Sequence, residues 1–178
     1  MLDSIFKSTL QEIKFGYLKR KHPFKYCSLS SISEDRPIIR TVVLREMTNQ
    51  HELVFFTDQR SPKIEQYKKN PHAEVLFYHP KKLWQIKVSG KVQLIKDEKR
   101  LHYYRQSVQG ASTNDYKTKQ TPSSVIKNPD QIEYGEDLHF AVLGLQPDSI
   151  ESLQLKRPNH IRCRFKRAND WQGEFLVP

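Results

Sequence analysis

A helix predicted to begin near residue 61 offers the chemistry of an anion-binding site. Ser61 suits its N-cap position, and Pro62 suits its first helical position. Arg60 and Lys63 add positive charges beside the first amides, which lack intrahelical partners and lie at the positive end of the helix dipole. Because no Gly-rich loop precedes the helix, a phosphate bound here would not belong to a nucleotide in a P-loop or Rossmann site. The segment by itself is also compatible with a well-capped surface helix, which is the simpler interpretation.

The strand predicted before this helix contributes further candidate ligands. Residues 40–45 read RTVVLR, and strict alternation places Arg40 on the face of Val42 and Leu44, opposite to Arg45. One of the two arginines could therefore be a solvent-facing strand residue. We favour Arg40 as the anion ligand and leave both interpretations open for Arg45.

Composition and charge limit the possible classes of protein. The 178 residues, 37% hydrophobic and 11% aromatic, suffice for one domain, residues 1–178, with its own core. A net charge of +10 favours an anionic partner, either nucleic acid or a small anion. The basic runs are short and scattered, and the aromatic residues fall mostly inside apolar strands, where core packing explains them. Nucleic-acid binding is therefore the weaker hypothesis.

The sequence contains no pattern typical of a targeting signal, a metal site or a disulfide framework. No apolar run approaches a membrane span, and residues 1–15 carry acids where a signal peptide has an apolar core. We therefore expect a cytoplasmic protein without a membrane partner. Cys27 and Cys163 lie far apart, without a CxxC pattern or a nearby His pair, so no zinc site, other metal site or disulfide framework is predicted.

The elements that must position these residues are mostly strands. Helices are predicted over residues 3–18, 61–70 and 97–106, and a long polar loop or lid over 110–136. Strands are predicted over residues 26–32, 38–45, 53–57, 73–78, 83–95, 140–145, 150–155, 161–166 and 173–177, with a bulge at Ser89-Gly90. This pattern predicts a mainly β fold with flanking helices, a barrel or curled sheet rather than a doubly wound parallel sheet.

Several segments together resemble the flavin-binding core of the pyridoxamine 5'-phosphate oxidase-like split barrels. They are RTVVLR at 40–45, VFFTD at 54–58, Ser61 with Lys63, Asn70-Pro71, QIKVSG at 85–90, Lys119-Gln120, and Arg164-Phe165 with Trp171. The similarity runs from about residue 25 onward. It depends on the order and spacing of the segments rather than on any single motif.

The resemblance implies an FMN-binding split β-barrel that forms a homodimer, with FMN at the subunit interface. Arg40 and Lys63 would hold the FMN phosphate, and Gln120 and Thr121 would reach the flavin partly from the other subunit. The remaining cofactor-binding residues implied by the resemblance are Thr41, Val42, Val43, Leu44, Arg45, Phe56, Thr57, Ser61, Gln85 and Arg164.

Departures from the family pattern bear on the substrate. The resemblance implies substrate contacts for Tyr103 and Arg162, but Ser107 and Ala111 stand where the oxidase has an Arg and a Ser. A neutral hydroxyl and a methyl group cannot replace a bidentate cation for a phosphate dianion. His160 likewise replaces an Arg. We therefore expect a flavin-dependent oxidoreductase of unassigned substrate in the oxidase-related branch.

Two alternatives stay open at this point. One is a true pyridoxamine 5'-phosphate oxidase with rearranged substrate contacts. The other belongs to a different class of protein, a basic nucleic-acid-binding barrel that stacks bases on its aromatic side chains. The residues indicate no catalytic triad, and none is required where a bound flavin performs the chemistry.

Overall fold

All nine strands of the protein belong to one antiparallel sheet in a computed structural model that describes residues 1–178. The strands are β1 (Tyr26–Ser33), β2 (Arg36–Val43), β3 (Glu46–Met47), β4 (Leu53–Asp58), β5 (His72–His79), β6 (Trp84–Leu94), β7 (Phe140–Gln154), β8 (Ile161–Lys166) and β9 (Gly173–Leu176). The α-helices are α1 (Leu2–Leu18), α2 (Pro62–Lys69) and α3 (Glu98–Gln106). The predicted mainly β class with flanking helices is confirmed.

The sheet follows the order β2-β1-β5-β6-β7-β4-β3 and branches at β7. Residues 140–145 of β7 pair with β4, whereas residues 149–154 pair with β8, which in turn pairs with β9. The sheet curls but does not close, because β2 and β4 are not paired along their length. Where they approach, the amide of Arg45 donates to the carbonyl of Val54 at 3.0 Å. An open seam therefore runs between β2 and β4.

Strand β7 differs from the prediction, which placed separate strands at 140–145 and 150–155. Pro147 does not interrupt the strand because it lies opposite Gly90, where the β6–β7 register shifts at a bulge. A proline without an amide hydrogen is tolerated at such an irregularity. A Cβ on Gly90 would lie 2.1 Å from the carbonyl oxygen of Gln146, so the close approach of the two strands requires glycine. The predicted bulge is confirmed, and the predicted strand break is wrong.

The bounds of several other elements also differ from the predicted ones. Strand β2 ends at Val43, so Arg45 lies beyond it, and Glu46–Met47 pairs with β4 where a simple connection was expected. The polar segment 110–136 contains two 3₁₀ turns and a bridge between Thr118 and Tyr134. The predicted long loop therefore has local structure of its own.

Two apolar clusters fix the orientation of the strands. The larger fills the curled sheet under α1 and includes Ile13, Phe24, Leu29, Leu44, Phe55, Phe77 and Ile86. The smaller lies on the other face of β4 and β7, under α3, and includes Val54, Ile95, Tyr104, Tyr116, Phe140 and Val142. Both faces of β4 are therefore covered, and successive residues of β4 point to different clusters.

No helix of the protein has the length and apolar character needed to cross a membrane. Cys27 and Cys163 are both buried free thiols.

Candidate functional site

Arg40 lies at the open edge of the sheet, where β2 borders the seam. It is directly opposite Leu29 of β1, so its side chain points to the inner face of the sheet. The guanidinium donates to the hydroxyl of Ser31 at 2.7 Å and to the side-chain oxygen of Gln66, on α2, at 3.2 Å. These two bonds hold the Arg40 head group beside the first turns of α2.

Lys63 occupies the first turn of α2 and faces the same place. Its ammonium donates to the hydroxyl of Ser61 at 2.6 Å and to that of Thr57, on β4, at 2.8 Å. Burial lowers the pKa of Lys63, the nearby charge of Arg40 lowers it further, and Asp58 partly opposes both effects. The structure thus places two cations close enough to repel each other.

The acceptors around this pair are neutral. No carboxylate oxygen lies within 4.0 Å of the charged nitrogens of Arg40 or Lys63. Hydroxyl and amide oxygens orient the two head groups without neutralising them, so an anion that accepts from both would relieve their repulsion. We refer to Arg40 and Lys63, with the side chains of Ser31, Thr57, Ser61 and Gln66, as the cation pair site.

Ser61 has a different role from the one that its position predicts. It is the N-cap residue of α2, with Pro62 in the first turn, but its hydroxyl accepts no backbone amide. That hydroxyl instead accepts from Lys63. The predicted N-cap position is confirmed, but the Ser61 side chain orients Lys63 and does not cap the helix.

Arg60 does not add charge to the cation pair site. Its guanidinium binds Asp58 at 2.7 and 3.1 Å and also donates to the carbonyls of Thr118, at 2.8 Å, and Lys119, at 3.2 Å. Arg60 therefore fastens the loop that contains Gln120 to the start of α2. This role was not predicted from the sequence, where its local signal is the Asp-x-Arg spacing before the helix.

Gln120 and Thr121 lie in that loop. The side-chain nitrogen of Gln120 donates to the backbone carbonyl of Gln131 at 2.8 Å, and its side-chain oxygen accepts the backbone amide of Glu133 at 3.1 Å. Thr121 is exposed. The Gln120 side chain thus holds the loop together within one chain.

A separate recess lies on the face of β4 opposite Thr57. It has a volume of about 430 Å³ and is lined by Tyr17, Arg45, Glu46, Phe56, Tyr103, Tyr104 and Ser107. The Arg45 guanidinium lies over the Phe56 ring, 5.0 Å from its centroid. Because Phe56 and Thr57 point to opposite faces, the predicted site residues divide into two groups on either side of β4.

Glu46 and two tyrosines form the polar part of this recess. The Tyr104 hydroxyl donates to Glu46 at 2.8 Å. Burial raises the pKa of Tyr104 to about 12, and burial followed by the charge of Glu46 raises the pKa of Tyr17. Both phenols are therefore protonated at neutral pH.

Within one chain, the remaining predicted site residues lie at neither the cation pair site nor the recess. Gln85 is half-exposed on the outer face of β6, opposite Tyr78. Arg162 binds Glu151 at 2.8 and 3.0 Å, and Arg164 binds Glu174 at 2.9 Å, so both are ion-paired locally.

Residues between Arg40 and Arg45 alternate as expected for a strand. Thr41 is exposed on the outer face, and Val42 packs against the larger cluster. Leu44 is only 1% exposed, so it could contact a ligand through its backbone alone.

A cluster of Glu12, His22 and His79 places three potential metal-ligand atoms within 4.8 Å of one another. The Nδ1 atoms of His22 and His79 accept the backbone amides of Phe24 and Lys82, at 3.2 and 3.3 Å. Each neutral imidazole therefore carries its proton on Nε2, facing Glu12 rather than offering a lone pair. The Lys82 ammonium binds both Glu12 oxygens, at 2.6 and 2.7 Å. The arrangement suits an ion-paired attachment of α1 to the sheet, not a metal site.

Comparisons with known proteins agree with this geometry. Residues 3–96, more than half of the chain, match the family model described as pyridoxamine 5'-phosphate oxidase, FMN-binding domain. The pyridoxine/pyridoxamine 5'-phosphate oxidase of Acinetobacter baumannii is 31% identical over 175 residues, which cover 88% of this chain and 78% of that protein.

Solved structures share the fold. A pyridoxamine 5'-phosphate oxidase-related, FMN-binding protein of Nostoc punctiforme superposes with a TM-score of 0.75 at 24% identity, covering 98% of this chain and 96% of that one. PhzG of Burkholderia lata, in complex with tetrahydrophenazine-1-carboxylic acid, has a TM-score of 0.75 at 18% identity, covering 98% and 91%. These likenesses confirm the split-barrel fold.

The matched segment contains β2, β4 and α2, and so includes the whole cation pair site. Two cations without a carboxylate partner fit the phosphate group of FMN, which is a dianion able to accept from both. The chain therefore belongs to the pyridoxamine 5'-phosphate oxidase family, and FMN is its cofactor.

Proposed function

We propose that this protein is an FMN-dependent oxidoreductase whose substrate is not pyridoxamine 5'-phosphate. This proposal depends above all on the cation pair of Arg40 and Lys63, which neutral acceptors orient and whose charged nitrogens have no carboxylate oxygen within 4.0 Å. When bound, FMN supplies the hydride or electron transfer, so the protein needs only to bind and orient cofactor and substrate.

Each residue of the cation pair site has a defined part in this proposal. Arg40 and Lys63 bind the FMN phosphate. Ser31 and Gln66 keep the guanidinium in place, while Thr57 and Ser61 keep the ammonium in place. Arg45 and Phe56 lie at the recess on the other face of β4, and the family resemblance implies that they also contact the cofactor.

The proposal requires a second subunit. Gln85, Gln120, Thr121 and Arg164 do not reach the cation pair site in one chain, and we assign them to the FMN bound mainly by the partner. The outer face of the sheet supports a dimer, because it exposes four large apolar side chains on β1, β2 and β5. They are Tyr26, Ile39, Leu76 and Tyr78, with 60%, 69%, 40% and 51% of their surface exposed. Such a patch on a soluble protein marks an interface.

The proposal that the substrate is not pyridoxamine 5'-phosphate depends on the residues that replace the substrate-phosphate ligands of the oxidase. Tyr103 is 65% exposed at the recess and is available to a ligand. The Ser107 hydroxyl donates to the Tyr104 carbonyl at 2.6 Å, so its single hydrogen is not available to a substrate phosphate. Arg162 would contribute from the partner subunit after exchange of its bond to Glu151. PhzG, which shares the fold, is in complex with a carboxylic acid, so a protein of this fold can bind a ligand without a phosphate group.

The decisive experiment is an FMN titration of apoprotein and variants. Arg40→Ala and Lys63→Ala should each weaken FMN binding about ten- to a hundredfold, because one charged hydrogen-bonding partner is worth on the order of 1.5–3 kcal/mol. Lys69→Ala, which removes an exposed cation from the same helix, is the matched control and should bind FMN as the wild type does. Equal titration curves for the wild type and the Arg40→Ala/Lys63→Ala double variant would contradict the assignment of the phosphate site.

A true pyridoxamine 5'-phosphate oxidase is the second candidate, favoured by the 31% identity to the Acinetobacter baumannii enzyme. The two candidates differ in aerobic turnover of pyridoxamine 5'-phosphate by FMN-loaded protein, with peroxide and pyridoxal phosphate both measured. We expect little turnover, because charge-assisted contacts to the substrate phosphate are missing. Efficient turnover with a low KM would establish the second candidate instead.

A further inference from the structure

The recess on the outer face of β4 contains two opposite charges that do not neutralise each other. Arg45 and Glu46 are adjacent in sequence and both line the recess, yet their charged atoms lie more than 4.0 Å apart. Neither has another ion-pair partner within that distance. Arg100, which also approaches Tyr104, is already paired with Glu52. A ligand entering the recess therefore meets one available guanidinium and one available carboxylate.

Hydrogen bonds within the protein leave both charges able to bind a ligand. Glu46 accepts the Tyr104 hydroxyl at 2.8 Å, which occupies one of several acceptor positions on its carboxylate. The exposed Arg45 guanidinium lies over the Phe56 ring and also approaches the Tyr116 phenol. A guanidinium has five donors, more than that one phenol can occupy. Ser107, whose hydrogen is given to a backbone carbonyl, supplies no second donor.

The walls of the recess are aromatic. The ring of Phe56 lies 5.5 Å from that of Tyr104, and the ring of Tyr103 lies 5.3 Å from that of Tyr104, both in edge arrangements. A volume of about 430 Å³ is within the usual range of small-molecule sites and admits an aromatic ring with short substituents. Rings of this kind contact planar ligands through stacking or edge interactions.

We infer that this recess binds a small planar aromatic substrate that carries one carboxylate and one cationic amino group, the carboxylate on Arg45 and the ammonium on Glu46. This inference rests on the proposed function, because it names the substrate class of the same flavoprotein. A phosphate dianion is a poor match, since the single cation is offset by a carboxylate that repels a second negative charge.

The test is calorimetric titration of FMN-loaded protein with three probes. They are 3-(aminomethyl)benzoate, which carries both charges, benzoate, which carries the carboxylate alone, and phenyl phosphate. The first should bind at least about tenfold more tightly than either of the others, because each charge-assisted contact is worth about that factor. Equal or tighter binding of phenyl phosphate, or no measurable binding of 3-(aminomethyl)benzoate, would overturn the inference.

Two variants separate the roles of the charges. Glu46→Gln keeps an acceptor for Tyr104 and should reduce the affinity for 3-(aminomethyl)benzoate to that for benzoate. Arg45→Gln should weaken the binding of both carboxylates. If Glu46→Gln leaves the preference for 3-(aminomethyl)benzoate intact, the assignment of its ammonium to Glu46 is wrong.

FMN titration of the wild type and of Glu46→Gln distinguishes this inference from the proposed function. Failure of the wild type to bind FMN would refute the proposed function itself. Normal FMN binding combined with tighter binding of phenyl phosphate would refute the substrate class alone. Glu46 belongs to no part of the cation pair site, so its variant should bind FMN as the wild type does.

Discussion

At the scale of single residues, the phosphate site depends on how like charges are held together. Arg40 and Lys63 come from a strand and a helix, and each is oriented by a pair of uncharged oxygens. A carboxylate in the same place would stabilise the empty protein but would compete with a bound phosphate. Neutral acceptors orient the cations and leave their charge for the cofactor.

The lowered pKa of Lys63 makes FMN binding dependent on pH. Burial and the charge of Arg40 lower this pKa below its ordinary value of 10.5, and a bound phosphate should raise it again. FMN affinity should therefore fall as the pH rises through the lowered pKa, because the uncharged amine loses its charge-assisted bond. Lys63→Arg, which stays charged, should flatten this dependence in FMN titrations between about pH 7 and 10. Identical pH profiles for the two proteins would count against a direct contact between Lys63 and the phosphate.

His22 makes stability depend on pH at the attachment of α1. Burial lowers the pKa of His22 below 6.5, and its hydrogen bond to Glu12 opposes this only in part. The unfolded chain therefore binds the proton more readily, so the contribution of neutral His22 is complete above about pH 6.5 and is lost as the pH falls. The other charged groups facing His22 are His79, Lys82 and Glu12.

The variant His22→Asn isolates this effect, because Asn offers an oxygen to the Phe24 amide but does not titrate in this range. Urea unfolding at about pH 7.5 and pH 5.5 should give a smaller loss of stability for the variant than for the wild type. A loss of equal size in both would assign the acid sensitivity to other groups.

At the scale of elements, β7 holds the fold together. It pairs with β6 along its length, and its two halves hold β4 and β8. The bend that allows this lies at Gly90 and Pro147, where the register shifts. Strand β4 is thereby placed with Thr57 toward the cation pair site and Phe56 toward the recess.

Gly90→Ala tests this bend. The added Cβ would meet the Gln146 carbonyl at 2.1 Å, so the strands must separate, and we expect a loss of roughly 1–3 kcal/mol in the free energy of unfolding. Gly135→Ala is the matched control, since the nearest atom to its Cβ would be 3.6 Å away, an ordinary contact. Similar urea unfolding curves for Gly90→Ala and the wild type would mean that the bulge adapts without cost.

At the scale of the whole molecule, the open seam and the exposed outer sheet face suggest that the functional unit is larger than one chain. The residues assigned to the flavin lie on β2, β4, α2, β6, β8 and the loop near Gln120, and one copy does not gather them. A dimer that covers the apolar outer face would bring two incomplete sets together.

The protein should therefore elute as a dimer, and dilution to monomer should release FMN. Leu76→Glu places a charge in the exposed apolar face and should weaken both assembly and FMN retention. Leu18→Glu, at an exposed leucine of α1, is the matched control. Analytical ultracentrifugation with flavin absorbance measures both quantities at once, and a monomer that binds FMN stoichiometrically would refute the dimer proposal.

What the sequence by itself determined follows from local chemistry. Hydrophobic periodicity and the bulge at Gly90 depend on neighbours in the chain, and such local patterns predicted the helices and most strands correctly. The family and its FMN cofactor were also recognisable, because the order of short motifs is a property of the chain.

Only the tertiary structure decided which charges are available and which faces they share. Arg60 is neutralised by Asp58, and Arg162 and Arg164 are neutralised by acids ten or eleven residues away, whereas Arg40 and Lys63 are not neutralised. The continuity of β7 and the separation of Phe56 from Thr57 likewise depend on the strands that pair beside them. Such pairings join residues distant in sequence, so no local pattern encodes them, and the physical character of each site residue is decided by its neighbours in space.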